Sequence, residues 1–164
     1  MNIKIRLLIT GGTIDKEYDP LAGALVSPKT HLLKMLRQGR CKADVTAEVV
    51  MLKDSLEMNE GDRGKILKKC QSCPEDKIVI THGTDTMAET ARTLGDNLKG
   101  KTIVLTGAMV PGTISNSDAL FNLGGAIAAV QILPAGVYVS MNGKIFPWDN
   151  VQKNKKLGEF EKIK

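Results

Sequence analysis

The sequence lacks the residue patterns that mark several functional classes. Aromatic residues make up 4% of the 164 residues, and they form no stacking series of the kind that binds single-stranded nucleic acid. No apolar run approaches the roughly 20 residues that a membrane-spanning helix requires. Neither the G-x-G-x-x-G fingerprint of dinucleotide-binding proteins nor the lysine-bearing P-loop is present. We therefore expect no membrane span, no dinucleotide site and no nucleic-acid partner.

Cysteine is scarce, and its pattern argues against metal or redox chemistry. The chain has three cysteines, Cys41, Cys70 and Cys73. The last two have C-x-x-C spacing, but no second pair completes a zinc site. They also close a predicted helix before Pro74, whereas a thioredoxin-like pair opens a helix after a strand. We interpret all three cysteines as incidental and predict no metal site.

The charge of the chain is moderately basic. The formal net charge is +5 and the isoelectric point is near 9.1, which favours anionic partners only in a general way. The densest basic cluster, residues 153–156, is a solvated tail, a phosphate contact or the neighbourhood of one functional lysine. Residues 1–6 interleave charged and apolar side chains, unlike a secretory signal. We expect a cytoplasmic protein.

Strand-like and helix-like segments alternate along the chain. Apolar, β-branched runs predict five strands, at residues 3–9, 45–52, 77–81, 102–106 and 136–141. Apolar residues at helical spacing predict four helices, at residues 27–39, 59–70, 85–98 and from 116 or 118 to 130. Ser27 is the predicted N-cap of the first helix, with Pro28 in its first turn. Asn142-Gly143 predicts a hairpin turn after the last strand.

This alternation predicts an α/β fold in one domain, residues 1–164. Right-handed crossovers would give a mostly parallel, doubly wound sheet of the flavodoxin or Rossmann type, with helices on both faces in three α/β/α layers. In such sheets ligands bind outside the carboxyl ends of the strands. The loops after Ile9, Leu52, Ile80 and Leu105 should therefore converge on one site.

Two of these loops place threonine hydroxyls directly after a strand. They are Thr10-Gly11-Gly12-Thr13-Ile14 and Thr81-His82-Gly83-Thr84-Asp85-Thr86-Met87. The glycines let the backbone turn sharply and let a ligand approach closely, although the first segment also fits a purely structural glycine turn. Asp85 could cap the following helix, and His82 could be a packed histidine or a proton carrier.

The two segments resemble the signature motifs of the bacterial-type asparaginase and glutaminase family. Further matches follow in the family's order: Gly107-Ala108-Met109 with Pro111, Ser117-Asp118-Ala119, Asn122-Leu123, and Met141-Asn142 followed by Asp149, Val151 and Lys153. The resemblance covers nearly the whole chain and corresponds to the family's larger N-terminal domain. It implies that the smaller second domain is absent, so that the tail after Asn142 or a neighbouring copy would have to close the site.

The resemblance implies a role for each member of a catalytic set. Thr13 matches the nucleophile, which becomes acylated, and Tyr18 matches a tyrosine beside it. Thr84, Asp85 and Lys153 match a relay in which the lysine lowers the proton affinity of the threonine hydroxyl. The implied reaction converts L-asparagine to L-aspartate and ammonia through an acyl-threonine intermediate, with weaker activity on L-glutamine and without metal or cofactor.

The resemblance also implies a set of substrate-binding residues. Ser55 matches a residue that binds the substrate α-carboxylate, and Gly12, Gly83 and Ala108 match positions around the substrate. Leu56 stands where the family usually has a second polar residue, which predicts weaker substrate binding. Assembly as a homodimer or homotetramer is implied in the same way.

Two other functions remain open at this point. The chain could be a sensor or accessory subunit that binds the amino acid without turning it over, as Leu56 and the missing second domain would allow. It could also be the ammonia-generating component of a tRNA-dependent amidotransferase. The net charge of +5 is the only independent support for that third hypothesis.

Overall fold

The structure is a computed structural model that describes residues 2–164. Its strands are β1 (Lys4–Gly11), β2 (Glu17–Asp19), β3 (Ala24–Val26), β4 (Asp44–Lys53), β5 (Lys77–Thr81), β6 (Thr102–Thr106), β7 (Gly136–Met141), β8 (Lys144–Pro147), β9 (Gln152–Asn154) and β10 (Glu159–Glu161). Its helices are α1 (Leu32–Gln38), α2 (Glu60–Ser72), α3 (Met87–Asn97) and α4 (Ala119–Ile132). No helix among these residues is long and apolar enough to cross a membrane.

Six strands form the central sheet, in the order β4-β1-β5-β6-β7-β8. The first five are parallel, and β8 is antiparallel to β7. The order of the parallel strands is that of flavodoxin-like sheets, in which the chain reverses direction across the sheet beside its first strand. This switch point lies between β1 and β5, the two strands that precede the threonine turns. The predicted fold class is confirmed.

The sheet separates two hydrophobic cores, because successive side chains of a strand point to opposite faces. In β5, Ile78 and Ile80 pack with α2 and α3, whereas Val79 packs with α1 and α4 on the other face. The helices therefore cover both faces, as predicted. Two small hairpins, β2-β3 and β9-β10, lie outside the main sheet.

Two of the predicted helix starts and the predicted hairpin agree with the structure. Asn59 is the N-cap of α2, and its side chain and Asp62 form a reciprocal capping box. Asp118 is the N-cap of α4. Asn142 and Gly143 both have positive φ, 49° and 81°, as a type I′ turn requires. These predictions are confirmed.

The predicted start of α1 at Ser27 is wrong, since the helix begins at Leu32 after the N-cap His31. The Asp15 carboxylate accepts the His31 amide at 2.6 Å, and the Thr30 hydroxyl accepts the Leu32 amide at 3.2 Å. These contacts satisfy backbone donors at the helix start from outside the helix. The helix consequently needs no cap at Ser27.

The cap role considered for Asp85 is also wrong. The N-cap of α3 is Thr86, and the helix starts at Met87. The Asp85 carboxylate instead pairs with Lys153, which lies 68 residues further along the chain.

Candidate active site

The two threonine turns meet through their glycines at the carboxyl edge of the sheet. The first turn follows β1 and forms a single 3-10 turn over Thr13–Asp15 with Gly12 as its N-cap. Gly12 has φ 83°, and a Cβ atom built on it would lie 2.4 Å from the Gly83 nitrogen. Only glycine allows this approach, which brings the loops after β1 and β5 into backbone contact.

Lys153 joins a hydroxyl and a carboxylate of the second turn. Its Nζ donates to Thr84 Oγ1 and to Asp85 Oδ1, each at 2.8 Å, and its side chain is 15% exposed. The ammonium group therefore polarises the Thr84 hydroxyl while its charge is balanced by Asp85. One ion-dipole contact and one ion pair thus converge on a single nitrogen.

The β9-β10 hairpin fixes the position of this lysine. Phe160 lies opposite Lys153 in the hairpin and is buried in the core that also holds Val151. The hairpin is therefore anchored by the apolar packing of Phe160 and of Val151, which directly precedes β9. Within the basic cluster of residues 153–156, Lys153 is the lysine that contacts the second threonine turn.

Ser55 lies beneath the second turn and is buried. Its Oγ accepts the Thr86 amide at 3.3 Å, and its carbonyl accepts from Thr86 Oγ1 at 2.8 Å. A Cβ atom built on Gly83 would lie 2.5 Å from Ser55 Oγ, so the loop after β4 packs against the loop after β5. Leu56, the next residue, is 67% exposed.

The neighbouring Asp54 links this loop to the segment that follows Thr13. Its Oδ2 lies 2.6 Å from Lys16 Nζ, and its Oδ1 accepts the Leu56 amide at 3.0 Å. The hydrogen bond from Lys16 is the main reason why the pKa of Asp54 lies below its usual value. The loops after β1 and β4 are therefore joined by an ion pair.

The loop after β6 completes the convergence. A Cβ atom built on Gly107 would lie 2.3 Å from the His82 carbonyl oxygen and 3.5 Å from Thr84 Cγ2. Ala108, which follows it, is buried. All four loops that the sequence places at this edge are thus in contact or joined by an ion pair.

Asp118 holds the β6 loop in shape. Its carboxylate accepts the amides of Met109 and Val110, each at 3.0 Å, and the side-chain amides of Asn122 and Asn142, each at 2.9 Å. Partial burial opposes ionisation, but these donors keep the pKa of Asp118 below its usual value. The sequence indicates Asp118 only as a helix start and as part of a matching motif, so this function was missed.

His82 is a packed histidine rather than a proton carrier. It is fully buried, its Nδ1 lies 2.7 Å from the Gly83 carbonyl oxygen, and its Nε2 lies 2.8 Å from Thr90 Oγ1. A neutral ring that donates from Nδ1 and accepts at Nε2 satisfies both contacts. Burial lowers the pKa of His82 to about 4, so the ring is neutral at pH 7.

Tyr18 is the most exposed member of the predicted catalytic set. It occupies β2 opposite Leu25 and is 61% exposed. Within residues 2–164, no hydrogen bond joins its hydroxyl to Thr13, which is partly buried. Five positions, Gly12, Thr84, Asp85, Lys153 and Ser55, are instead linked by the contacts described above. No three His, Cys, Asp or Glu side chains of the described residues cluster around a possible metal position.

Comparison with known proteins identifies relatives of this chain. The family profile described as "Asparaginase, N-terminal" matches residues 4–161. L-asparaginase 2 of Escherichia coli (strain K12) is 34% identical over 159 residues, a match that covers 91% of this chain and 46% of that protein. One subunit of the glutamyl-tRNA(Gln) amidotransferase of Methanococcus vannielii is 32% identical over 156 residues, covering 88% of this chain and 35% of that protein.

Solved structures agree with these sequence matches. The thermostable L-asparaginase from Thermococcus kodakarensis superposes with a TM-score of 0.87 at 30% identity, over 98% of this chain and 51% of that one. The probable cytoplasmic L-asparaginase from Campylobacter jejuni gives a TM-score of 0.82 at 33% identity. The chain spans about half the length of the relatives it matches. The resemblance stated from the motifs is confirmed.

Proposed function

The chain belongs to the asparaginase family, and from that premise we propose that it hydrolyses the side-chain amide of L-asparagine to L-aspartate and ammonia. The observation that carries this proposal is the Lys153 ammonium, which lies 2.8 Å from both Thr84 Oγ1 and Asp85 Oδ1, beside the turn that bears Thr13. A polarised hydroxyl, a carboxylate and a second hydroxyl at one sheet edge match the needs of acyl transfer.

We assign the nucleophile to Thr13. In the first half-reaction its hydroxyl oxygen bonds to the amide carbon, the carbon–nitrogen bond breaks, and the hydroxyl proton leaves with ammonia. In the second, water attacks the acyl-threonine ester and restores the Thr13 hydroxyl. Net consumption is one water for each amide converted to a carboxylate and ammonia.

Thr84 and Lys153 are the groups we propose for charge control during these steps. The Lys153 contact lowers the proton affinity of the Thr84 oxygen. The Thr84 hydroxyl therefore donates its hydrogen bond more strongly to the developing oxyanion. Backbone amides near Thr13 and Ala108 are the further donors. In comparable sites each such donor is worth about 3 to 4 kcal/mol of transition-state stabilisation.

Substrate binding is proposed for Ser55 and Asp85. The buried Ser55 side chain contacts Gly83, and its hydroxyl proton is directed to the substrate α-carboxylate. Asp85 keeps one oxygen for the substrate ammonium while the other binds Lys153. Because the 67% exposed Leu56 offers no polar contact, we expect a high KM. Tyr18 is proposed beside Thr13 from the family motif alone, since its side chain is 61% exposed.

The test is ammonia release from L-asparagine and L-glutamine by the purified protein. We expect turnover of L-asparagine, slower turnover of L-glutamine, loss of activity in Thr13→Ala and partial recovery in Thr13→Ser. An acyl adduct on Thr13, trapped by acid quench and located by mass spectrometry, identifies the nucleophile. Equal rates in wild type and Thr13→Ala would refute the assignment. Amino-acid binding by calorimetry without turnover would favour the sensor.

The amidotransferase relative supports a second candidate function. A chain 32% identical to one component of a glutamyl-tRNA(Gln) amidotransferase could release ammonia for a partner enzyme. In that case L-glutamine would be hydrolysed faster than L-asparagine, and tRNA or a partner protein would increase the rate. A rate that tRNA leaves unchanged, with L-asparagine preferred, would exclude this candidate.

A further inference from the structure

The residues that follow Thr13 are held from several directions. The Ile14 carbonyl accepts the Gly112 amide at 3.3 Å, and the Lys16 carbonyl accepts the Thr113 hydroxyl at 2.9 Å. Lys16 Nζ pairs with Asp54 at 2.6 Å. A segment with this many external contacts has little freedom to relocate, so its position is set by the contacts rather than by local helix propensity.

Asp15 makes an unusual contact among these. Its side chain is completely buried, its Oδ1 accepts the His31 amide at 2.6 Å, and its Oδ2 has no hydrogen-bond partner within residues 2–164. Burial raises the pKa of this carboxyl group and outweighs the opposing contacts with the His31 amide and the Thr30 hydroxyl, so holding the carboxyl group here costs free energy. The carboxyl group lies two residues from Thr13 within the same 3-10 turn.

His31 connects Asp15 to the hairpin that bears Tyr18. Its backbone amide donates to Asp15, while its Nε2 lies 2.8 Å from Glu17 Oε2, an ion-pair distance without hydrogen-bond geometry. Glu17 is the first residue of β2, and Tyr18 follows it. Two consecutive links therefore run from the nucleophile turn to the start of α1, and from there to the hairpin.

We propose that Asp15, His31 and Glu17 form a clasp that positions Thr13 for attack on the substrate amide and ties the first residue of the β2-β3 hairpin to the same turn. This proposal rests on the proposed function, because it assigns the clasp to the Thr13 reaction. The three residues act through Thr13 and are positioning residues. A nucleophile must be held within a narrow geometry, and a displacement of ~1 Å from a distant mutation can cost ~10²-fold in rate.

A purely structural role for Asp15 makes a different prediction. If Asp15 only satisfied the first amides of α1, its loss would lower stability but leave kcat of the folded enzyme unchanged. The clasp predicts that kcat falls at temperatures where the variant is folded. It also predicts that loss of the contact between His31 and Glu17 lowers activity, although this contact satisfies no backbone group of α1.

The first arm of the test compares Asp15→Ala with Asp15→Asn and with Asp44→Ala. Asp44 begins β4 beside Lys4, at the opposite edge of the sheet. We expect Asp15→Ala to lose ~10²-fold in kcat with little change in KM, as a displaced nucleophile would. Asp15→Asn keeps an oxygen acceptor for the His31 amide and should stay within about threefold of wild type. Asp44→Ala should match wild type. An unchanged kcat in folded Asp15→Ala overturns the proposal.

The second arm uses Glu17→Ala, His31→Ala and the double variant, which leave Asp15 intact and serve if Asp15→Ala does not fold. Because one contact joins the two side chains, each single change should lower kcat/KM by about fivefold and the double change no further. Additive losses, or no loss in either single variant, overturn the second link of the clasp.

Hydrogen–deuterium exchange separates this proposal from the proposed function. If the wild type releases no ammonia, the proposed function fails, and exchange alone judges the clasp. Faster exchange across residues 13–26 in Asp15→Ala, but not in Asp44→Ala, would then support the clasp as the holder of this segment. Equal exchange in the three proteins would overturn it.

Discussion

At the scale of single residues, the candidate site depends on a lysine shared between a hydroxyl and a carboxylate. Thr84, Asp85 and Lys153 were predicted together because they match one family's motifs, and the structure places them in direct contact. Asp15 could not be found in this way. Its partner is a backbone amide 16 residues away, and every residue type except proline supplies such an amide.

Lys153→Met should abolish most activity while leaving the fold intact. Methionine fills a similar volume but removes the donor to Thr84 and the ion-pair partner of Asp85. We expect kcat for asparagine hydrolysis to fall ~10²- to 10⁴-fold, the usual range for loss of proton-transfer assistance. The measurement is ammonia release alongside thermal unfolding.

The matched control for that prediction is Lys155→Met, an exposed lysine two positions further along the chain. It should retain the wild-type rate. A Lys153→Met enzyme that is as active as the control would remove Lys153 from the mechanism.

His82 should make the folded state sensitive to acid. Its folded pKa of about 4 lies below the unfolded value of 6.5, so the unfolded chain binds more protons between these pH values. The free energy of unfolding should therefore fall as pH decreases from 6.5 to 4, by on the order of 3 kcal/mol from this group. Urea denaturation at several pH values measures the change.

The control for His82 is His82→Gln, which removes the titrating ring and keeps polar atoms. The carboxylates of the protein contribute their own acid dependence, so the relevant quantity is the difference between the two proteins. That difference should shrink with falling pH. Parallel stability curves would contradict the buried, neutral assignment.

At the scale of elements, the turns that follow the parallel strands bring their polar residues together because their backbones lie in contact. The alternating pattern was enough to predict five strands, four helices and the edge where their loops meet. It failed at the ends of elements, where side chains from distant segments compete for the terminal amides. The sequence predicts that α1 starts at Ser27, but the helix starts at Leu32, where Asp15 accepts the His31 amide. Asp85 binds Lys153 and does not cap α3.

Gly12→Ala should damage both stability and activity. The position has φ 83° and ψ −177°, a conformation that only glycine adopts readily, and the new Cβ would lie 2.4 Å from the Gly83 nitrogen. Strain and collision together should destabilise the fold by about 2 to 4 kcal/mol and separate the two threonine turns. Denaturant unfolding and ammonia release are the measurements.

The control Gly23→Ala introduces backbone strain without a steric collision. Gly23 has φ 62°, but nothing lies within 4 Å of a Cβ atom built there. The control should lose only about 1 kcal/mol, the cost of a left-handed alanine, and keep its activity. A Gly12→Ala protein no less stable than Gly23→Ala would show that the turns do not need their close contact.

At the scale of the whole molecule, the site lies where a doubly wound sheet reverses its strand order, between β1 and β5. The helices that follow these two strands, α1 and α3, cover opposite faces of the sheet, and the turns that precede them meet at its carboxyl edge. The topology therefore decides which of the loops can share a substrate. The helices form the outer layers of the molecule, and α4 differs from the other three in its composition. Its 14 residues include no charged side chain.

This helix leads us to expect self-association through α4. An apolar helix face is normally buried, yet Phe121, Ala128 and Ile132 are exposed on one face of α4. A second copy of the chain would cover this face.

Ala128→Glu places a charge at the centre of this face while keeping a good helix former, and should convert an oligomer to a monomer in sedimentation velocity. The control Gln71→Glu adds the same charge on α2, across the sheet, and should leave the oligomer intact. A wild-type protein that sediments as a monomer at all concentrations would refute the expectation.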